Sequence, residues 1–176
     1  MGSFYAQKAL GIESPRVGLL NNGAEDTKGD PLHREAHQLL KRAAEQGTIH
    51  FVGNVEARDA LTGCVQVIVC DGFAGNILLK STEGAAQLIL CKLKDGLLSS
   101  TRSKVGALLV KPALKGLKNE LDYEQYGGAA LLGVTGAVVK AHGSSNEIAV
   151  MNAVRQAIAY TKSGMIDAVK ENIQYM

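Results

Sequence analysis

Val65-Gln-Val-Ile-Val-Cys70, running straight into Asp71-Gly-Phe-Ala-Gly-Asn76, is the stretch whose reading decides the fold. The first six residues are dominated by β-branched side chains, with no Gly or Pro among them, and read as a buried strand. The next six put two glycines in a short turn, and from Ile77 the pattern turns helical. A buried strand, a glycine-bearing loop and a helix are half of a parallel βαβ unit.

Upstream the same order occurs twice more. Arg16-Val-Gly-Leu-Leu20 reads as a short strand ending in the polar loop Asn21-Asn-Gly-Ala-Glu-Asp-Thr-Lys-Gly-Asp30. Asp30 before Pro31 is an N-cap and first-turn pair, which opens a helix to about Glu45. Thr48-Ile-His-Phe-Val52 is a second strand, followed by a Gly53-Asn54 loop and a short helix near 55–61. Three such repeats predict a three-layer α/β/α domain with a mostly parallel sheet. Ligands of such sheets bind outside the carboxyl ends of the strands, so these three loops are expected to gather at one functional edge.

Downstream, helices are expected over about 77–94 and 102–121, joined by an apolar turn at 96–100, with Pro112 kinking or restarting the second. From Glu83 to Glu120 there are seven Lys/Arg against three Asp/Glu, a local +4 in a chain whose total is +2. A protruding helical pair bearing Lys92, Arg102 and Lys104 beside Leu97, Leu98, Leu108 and Leu109 suits an interface with another protein or an anionic bilayer surface. Packing against the sheet is the plainer alternative. Strands are then expected over 129–134 and 137–141, and Ser144-x-x-Glu147 reads as a capping box before the last helices.

With 176 residues the chain has room for one well-packed domain. Its small positive charge does not argue for nucleic-acid binding, which goes with much more basic domains. Cys64, Cys70 and Cys91 have no metal-like spacing, and the apolar runs around them predict buried thiols in a reducing cytosol. No signal peptide is read at the N-terminus, and no apolar run approaches the roughly 20 residues of a membrane span.

Three places have the composition of an anion site. In the first, the glycines Gly72 and Gly75 after Asp71 let the backbone present N–H groups at a helix start, where the dipole adds positive charge. Asn76 is a donor to a phosphate or an oxyanion, and Lys80 follows one turn later. The same spacing suits a tight turn that holds no ligand. In the second, Asn21, Asn22, Gly23, Glu25 and Lys28 could orient a ligand or simply form a solvated turn. In the third, His142, Gly143 and Ser144 combine a helix start with a proton donor, or merely cap the helix. His33 and His37 stand at i and i+4, but the zinc-protease order is missing and no third ligand is apparent, so no metal is expected. Neither a Gly-x-Ser-x-Gly elbow nor a cysteine in a basic pocket offers a covalent nucleophile.

The long motifs Gly11-Ile-Glu-Ser-Pro-Arg-Val-Gly-Leu-Leu-Asn-Asn-Gly23, Phe51-Val-Gly-Asn-Val-Glu56, Val69-Cys-Asp-Gly-Phe-Ala-Gly-Asn76, Leu121-Asp-Tyr-Glu-Gln-Tyr-Gly-Gly-Ala129 and Lys140-Ala-His-Gly-Ser-Ser145 resemble the bacterial phosphate acyltransferases of phospholipid synthesis, the PlsX family. The resemblance runs through nearly the whole chain but covers only the second half of the family's length. It implies an isocitrate-dehydrogenase and phosphotransacetylase-like fold in one domain, 1–176, with a dimerising and membrane-touching helical insertion over about 77–121. It also implies a peripheral cytoplasmic homodimer that moves a fatty acyl group from acyl carrier protein to inorganic phosphate without a cofactor. Asn76, Lys80 and His142 then become the expected catalytic residues. Two other readings stay open: an acyl-CoA:phosphate transferase, and a non-catalytic fragment or scaffold that binds a membrane or partner protein.

Overall fold

The computed structural model describes residues 1–120, 127–143 and 145–172, the side chains of 118–120 excepted. It divides into two compact units, one of Met1–Cys70 with Tyr126–Met176 and one of Asp71–Gln125.

The first unit opens with helix α1 (Gly2–Lys8) and strand β1 (Arg16–Asn21), then α2 (Pro31–Glu45), β2 (His50–Glu56), α3 (Ala57–Ala60) and β3 (Val67–Val69). The strands form one sheet in the order β2-β1-β3, parallel throughout, so the expected α/β architecture is the one observed. The central strand is the best protected: Val17, Leu19 and Leu20 are buried. That is the expectation for a parallel strand covered on both faces. β3 is shorter than the run 65–70 suggests, because pairing with β1 involves Val67, Ile68 and Val69.

β2 departs from the sequence reading in a way that matters later. Gly53 and Asn54 were expected in a loop, yet both lie inside the strand. Val17 pairs with Phe51, but two residues on Leu19 pairs with Asn54, so β2 carries one extra residue there. Gly53 has φ +101, a conformation that side-chain-bearing residues rarely adopt. This is a bulge, and the inserted residue reverses which face later side chains meet.

The unit is completed by β4 (Gly128–Leu131) and β5 (Val138–Ala141), an antiparallel pair separate from the parallel sheet, and by helices α6 (Glu147–Lys162) and α7 (Met165–Asn172). α6 lies so close to the start of β4 that a Cβ on Gly127 would stand 2.3 Å from the Ala153 nitrogen. Gly127 also has φ +77, so geometry and space both require glycine there. Tyr160, Met165 and Val169 form a buried cluster, with Tyr5 edge-on to Tyr160 at 5.8 Å between ring centres. α6 is capped by Asn146, whose Oδ1 accepts from the Ala149 N–H at 2.9 Å. The expected cap, Ser144, lies outside the described residues.

The second unit is a helical hairpin of α4 (Gly72–Leu98) and α5 (Thr101–Glu120). α4 begins five residues before the expected Ile77 and continues through Gly96, leaving Ser99 and Ser100 as the turn. α5 runs through Pro112 without a break in assignment. No residue of α4 is buried, and Leu88, Ile89, Leu108 and Leu109 are all exposed. Cys91 on α4 is exposed, as is Cys70, and Cys64 is half-buried, so the predicted buried thiols are not found. The apolar runs around Cys70 and Cys91 belong to segments that pack little around them.

Candidate functional site

The parallel pairing of β1 with β2 and β3 sets the carboxyl ends of all three strands along one edge of the sheet. The loop 21–30 leaves β1 at that edge. Asn21 holds it closed, donating from its Nδ2 to the Lys28 carbonyl at 3.2 Å and accepting the Asn22 N–H at 2.8 Å. The Lys28 N–H in turn donates to the Glu25 carbonyl at 3.0 Å. Gly23 is buried and Gly29 has φ +91, where a Cβ would meet Asn21 and His33. Asn22 and Glu25 are exposed on the rim. The loop is thus a folded object with its polar groups presented outward.

Its far end is fixed by Asp30, the N-cap of α2. The carboxylate accepts the His33 N–H at 2.9 Å and stands 2.7 Å from His33 Nδ1. These hydrogen bonds favour the ionised form and hold the Asp30 carboxyl below its ordinary range.

A buried polar pair that the sequence reading did not bring together lies beneath this loop. His37 of α2 is 2% exposed and Asn54 of β2 is 8% exposed. His37 Nδ1 and Asn54 Oδ1 are 2.9 Å apart, and the Asn54 amide donates to the Glu25 carbonyl at 2.8 Å. His37 Nε2 faces the Asp26 carboxylate at 3.5 Å, which Lys41 approaches from solvent at 3.6 Å. His33 and His37, paired by spacing, therefore serve different partners. Among the described residues no group of three or more His, Cys, Asp or Glu gathers as a metal site. The signal for Asn54 was its place in the motif Phe51–Glu56, but its burial depends on the bulge, which no periodicity reveals.

In the second unit Asp71 stands at the start of the hairpin. It is the N-cap of α4, its carboxylate accepting from the Phe73 and Ala74 N–H groups at 2.8 Å each. Those are the free amides of a helix start that an anion would otherwise take. Asp71 therefore fills part of the cradle itself, and a carboxylate there disfavours direct phosphate contact by like charge. Gly72 has neither positive φ nor any heavy atom within 4 Å of where a Cβ would sit, so the chain's own packing does not require a glycine. Gly75 donates to the Asp71 carbonyl at 3.0 Å. Asn76 is exposed on the first turn, and Lys80 is salt-bridged to Glu83 at 2.6 Å. Lys92, Arg102, Lys104, Leu98, Leu108 and Leu109 are exposed along the hairpin, with Leu97 half-buried.

His142 and Gly143 are exposed just after β5, and the Ser145 N–H donates to the His142 carbonyl at 3.1 Å. They share the first unit with the loop 21–30. A shallow cavity of about 180 Å3, lined by Ser3, Ser14 and His50 among others, lies at the amino ends of β1 and β2. It is the wrong edge for a parallel-sheet ligand and has no Lys or Arg in its lining, so it is a poorer anion site than the loop. No helix among the described residues is long and apolar enough to cross a membrane.

The sequence is 49% identical over 174 residues to a phosphate acyltransferase of Clostridium novyi, covering 99% of this chain and 51% of that one. It is 50% identical over 173 residues to that of Alkaliphilus oremlandii, covering 98% and 50%. It is 53% identical over 156 residues to that of Bacillus cytotoxicus, covering 89% and 46%. The chain spans about half the length of the curated relatives it matches. A family model described as a fatty acid synthesis protein matches residues 1–168, nearly the whole chain, and the chain therefore belongs to the fatty acid synthesis protein family.

Proposed function

We propose that this chain carries part of a phosphate acyltransferase that makes acyl phosphate from fatty acyl carrier protein and inorganic phosphate. The observation that carries the reading is identity near one half, along almost the whole chain, to proteins called phosphate acyltransferase. In this reaction a phosphate oxygen attacks the thioester carbonyl carbon, the C–S bond breaks, and the departing thiolate takes up a proton. Phosphate is itself the nucleophile, so the protein need only position it and stabilise the tetrahedral oxyanion.

Groups suited to these tasks are found among the residues that the sequence singles out. Asn76 and the Gly72 amide are donors for the oxyanion or phosphate, with Lys80 adding positive charge from its exposed ion pair. Asn21, Asn22 and Gly23 would hold phosphate, Glu25 would orient it, and Gly143 would let it approach beside His142. His142 would protonate the thiolate. Ser144 stays a proposed contact by sequence alone.

The test is acyl phosphate formation by wild type, Asn76→Ala and His142→Ala, assayed with acyl-ACP and separately with acyl-CoA. Loss of an oxyanion donor or a general acid lowers kcat on the order of 100-fold. Turnover near wild type in both variants removes these residues from the mechanism, and a preference for acyl-CoA replaces the carrier-protein substrate.

A second reading follows from the hairpin, which is basic and exposes its leucines. In it the chain is a scaffold that seats a second copy of itself or an anionic lipid surface. Sedimentation with anionic vesicles and no acyl phosphate formed would favour the scaffold. In the acyltransferase reading the same surface serves a peripheral homodimer on the inner face of the cell membrane.

A further inference from the structure

We propose that His37 and Asn54 are positioning residues that hold the loop 21–30 in its binding conformation. This rests on the proposed role of Asn21, Asn22 and Gly23 in phosphate binding. Neither residue touches substrate; each acts through the backbone of the loop.

Two costly features converge on one carbonyl of that loop. The first is the bulge in β2. In an unbroken strand Phe51 and Gly53 would face α2, and Asn54 would face the other side of the sheet. The extra residue, with Gly53 at φ +101, pairs Asn54 with Leu19 just as Phe51 pairs with Val17. Both side chains therefore meet α2, and both touch His37: Phe51 edge-on at 5.2 Å between ring centres, Asn54 by its 2.9 Å hydrogen bond.

The second feature is the burial of an imidazole and an amide where apolar side chains would fill the space at less cost in lost hydration. The pair is satisfied because it is linked outward. The Asn54 amide donates to the Glu25 carbonyl, so its oxygen faces His37 Nδ1, which carries the proton between them. His37 Nε2 is turned towards Asp26, the next residue of the loop. The loop is thus tied to the core at the Glu25 carbonyl, with Asp26 beside the imidazole, and its order is taken from α2 and β2 as well as from its own short turns. Ordering a ten-residue loop costs conformational entropy, and a pre-ordered loop spares the ligand that cost.

The experiment compares wild type, His37→Leu and His37→Gln by limited trypsin cleavage after Lys28, by hydrogen exchange of the loop amides, and by phosphate KM and kcat. Thermal melts show which variants fold. His37→Leu fills the space but removes the hydrogen bonds, and is expected to speed cleavage and raise the KM for inorganic phosphate, each about tenfold, with kcat within about twofold. His37→Gln keeps an N–H donor and is expected to recover most of both. Should His37→Leu not fold, Asn54→Ser, which breaks the link from the strand side, replaces it. Unchanged cleavage in the folded variant overturns the proposal, as does a fall in kcat at constant KM or an equal loss in the Gln and Leu variants. Cleavage and exchange do not depend on catalysis. A wild-type chain that makes no acyl phosphate therefore sinks the reading that this chain suffices for the acyltransferase, while the cleavage comparison still decides the pinning role.

Discussion

β1 and α4 are both rich in apolar residues, but they are treated oppositely by the fold. β1 buries four of its six residues, whereas none of the 27 residues of α4 is buried. In β1 the strand is flanked by two parallel neighbours, so each apolar side chain finds a packed surface. In the hairpin, two helices can cover only one stripe of each other, and leucines point in other directions as well. Apolar residues on the open flanks of these helices are left exposed. The comparison separates residues that hold this chain together from residues kept for something else.

The contrast is broken most directly at Leu19, which is 3% exposed. Leu19→Ala should cost about 2–5 kcal/mol, read as a fall in the urea midpoint, because the parallel sheet cannot collapse around the cavity. A cost under about 1 kcal/mol would mean that β1 is less well packed than its neighbours indicate. Asp71→Ala tests how the hairpin is held at its start. Losing the acceptor for the Phe73 and Ala74 amides should cost about 1 kcal/mol and speed exchange of those two amides first. If exchange there is unchanged, another acceptor occupies the helix start. The smallest effect on folding is expected at Leu109, which is 80% exposed. Leu109→Ala should change stability by no more than about 0.5 kcal/mol. Analytical ultracentrifugation of the same variant sharpens the comparison: weaker self-association or vesicle binding at unchanged stability assigns the leucine to an interface, and a stability loss like that of Leu19 assigns it to the chain's own core.

Much of the fold was readable because it follows from local chemistry. The Asp30–Pro31 start of α2 stands where the sequence puts it, and the β-branched run before Asp71 and the two helices after it are found with shifted bounds. Other features were set by strand pairing and by which side chain meets the free amides of a helix start. Gly53-Asn54 carries a loop signature, yet pairing with β1 on one side makes it strand and uses the glycine for a bulge. Ser144 and Glu147 have the spacing of a capping box, but Asn146 takes the cap because the helix begins one residue after it. Asp71 lies in a glycine-rich turn, and only the hydrogen bonds show that its carboxylate accepts from the Phe73 and Ala74 amides of α4.

By itself the sequence determined the class of the fold, the family and the chemistry expected of its loops, since those rest on residue types at short separations. Tertiary structure alone decided which of these polar residues face solvent and which are tied inward. His37 and Asn54 are 17 residues apart in the chain, and Asn54 and Glu25 are 29 apart. One inserted residue in β2 brings all three together, and no pattern along the chain states which face of a strand a side chain will meet after a bulge.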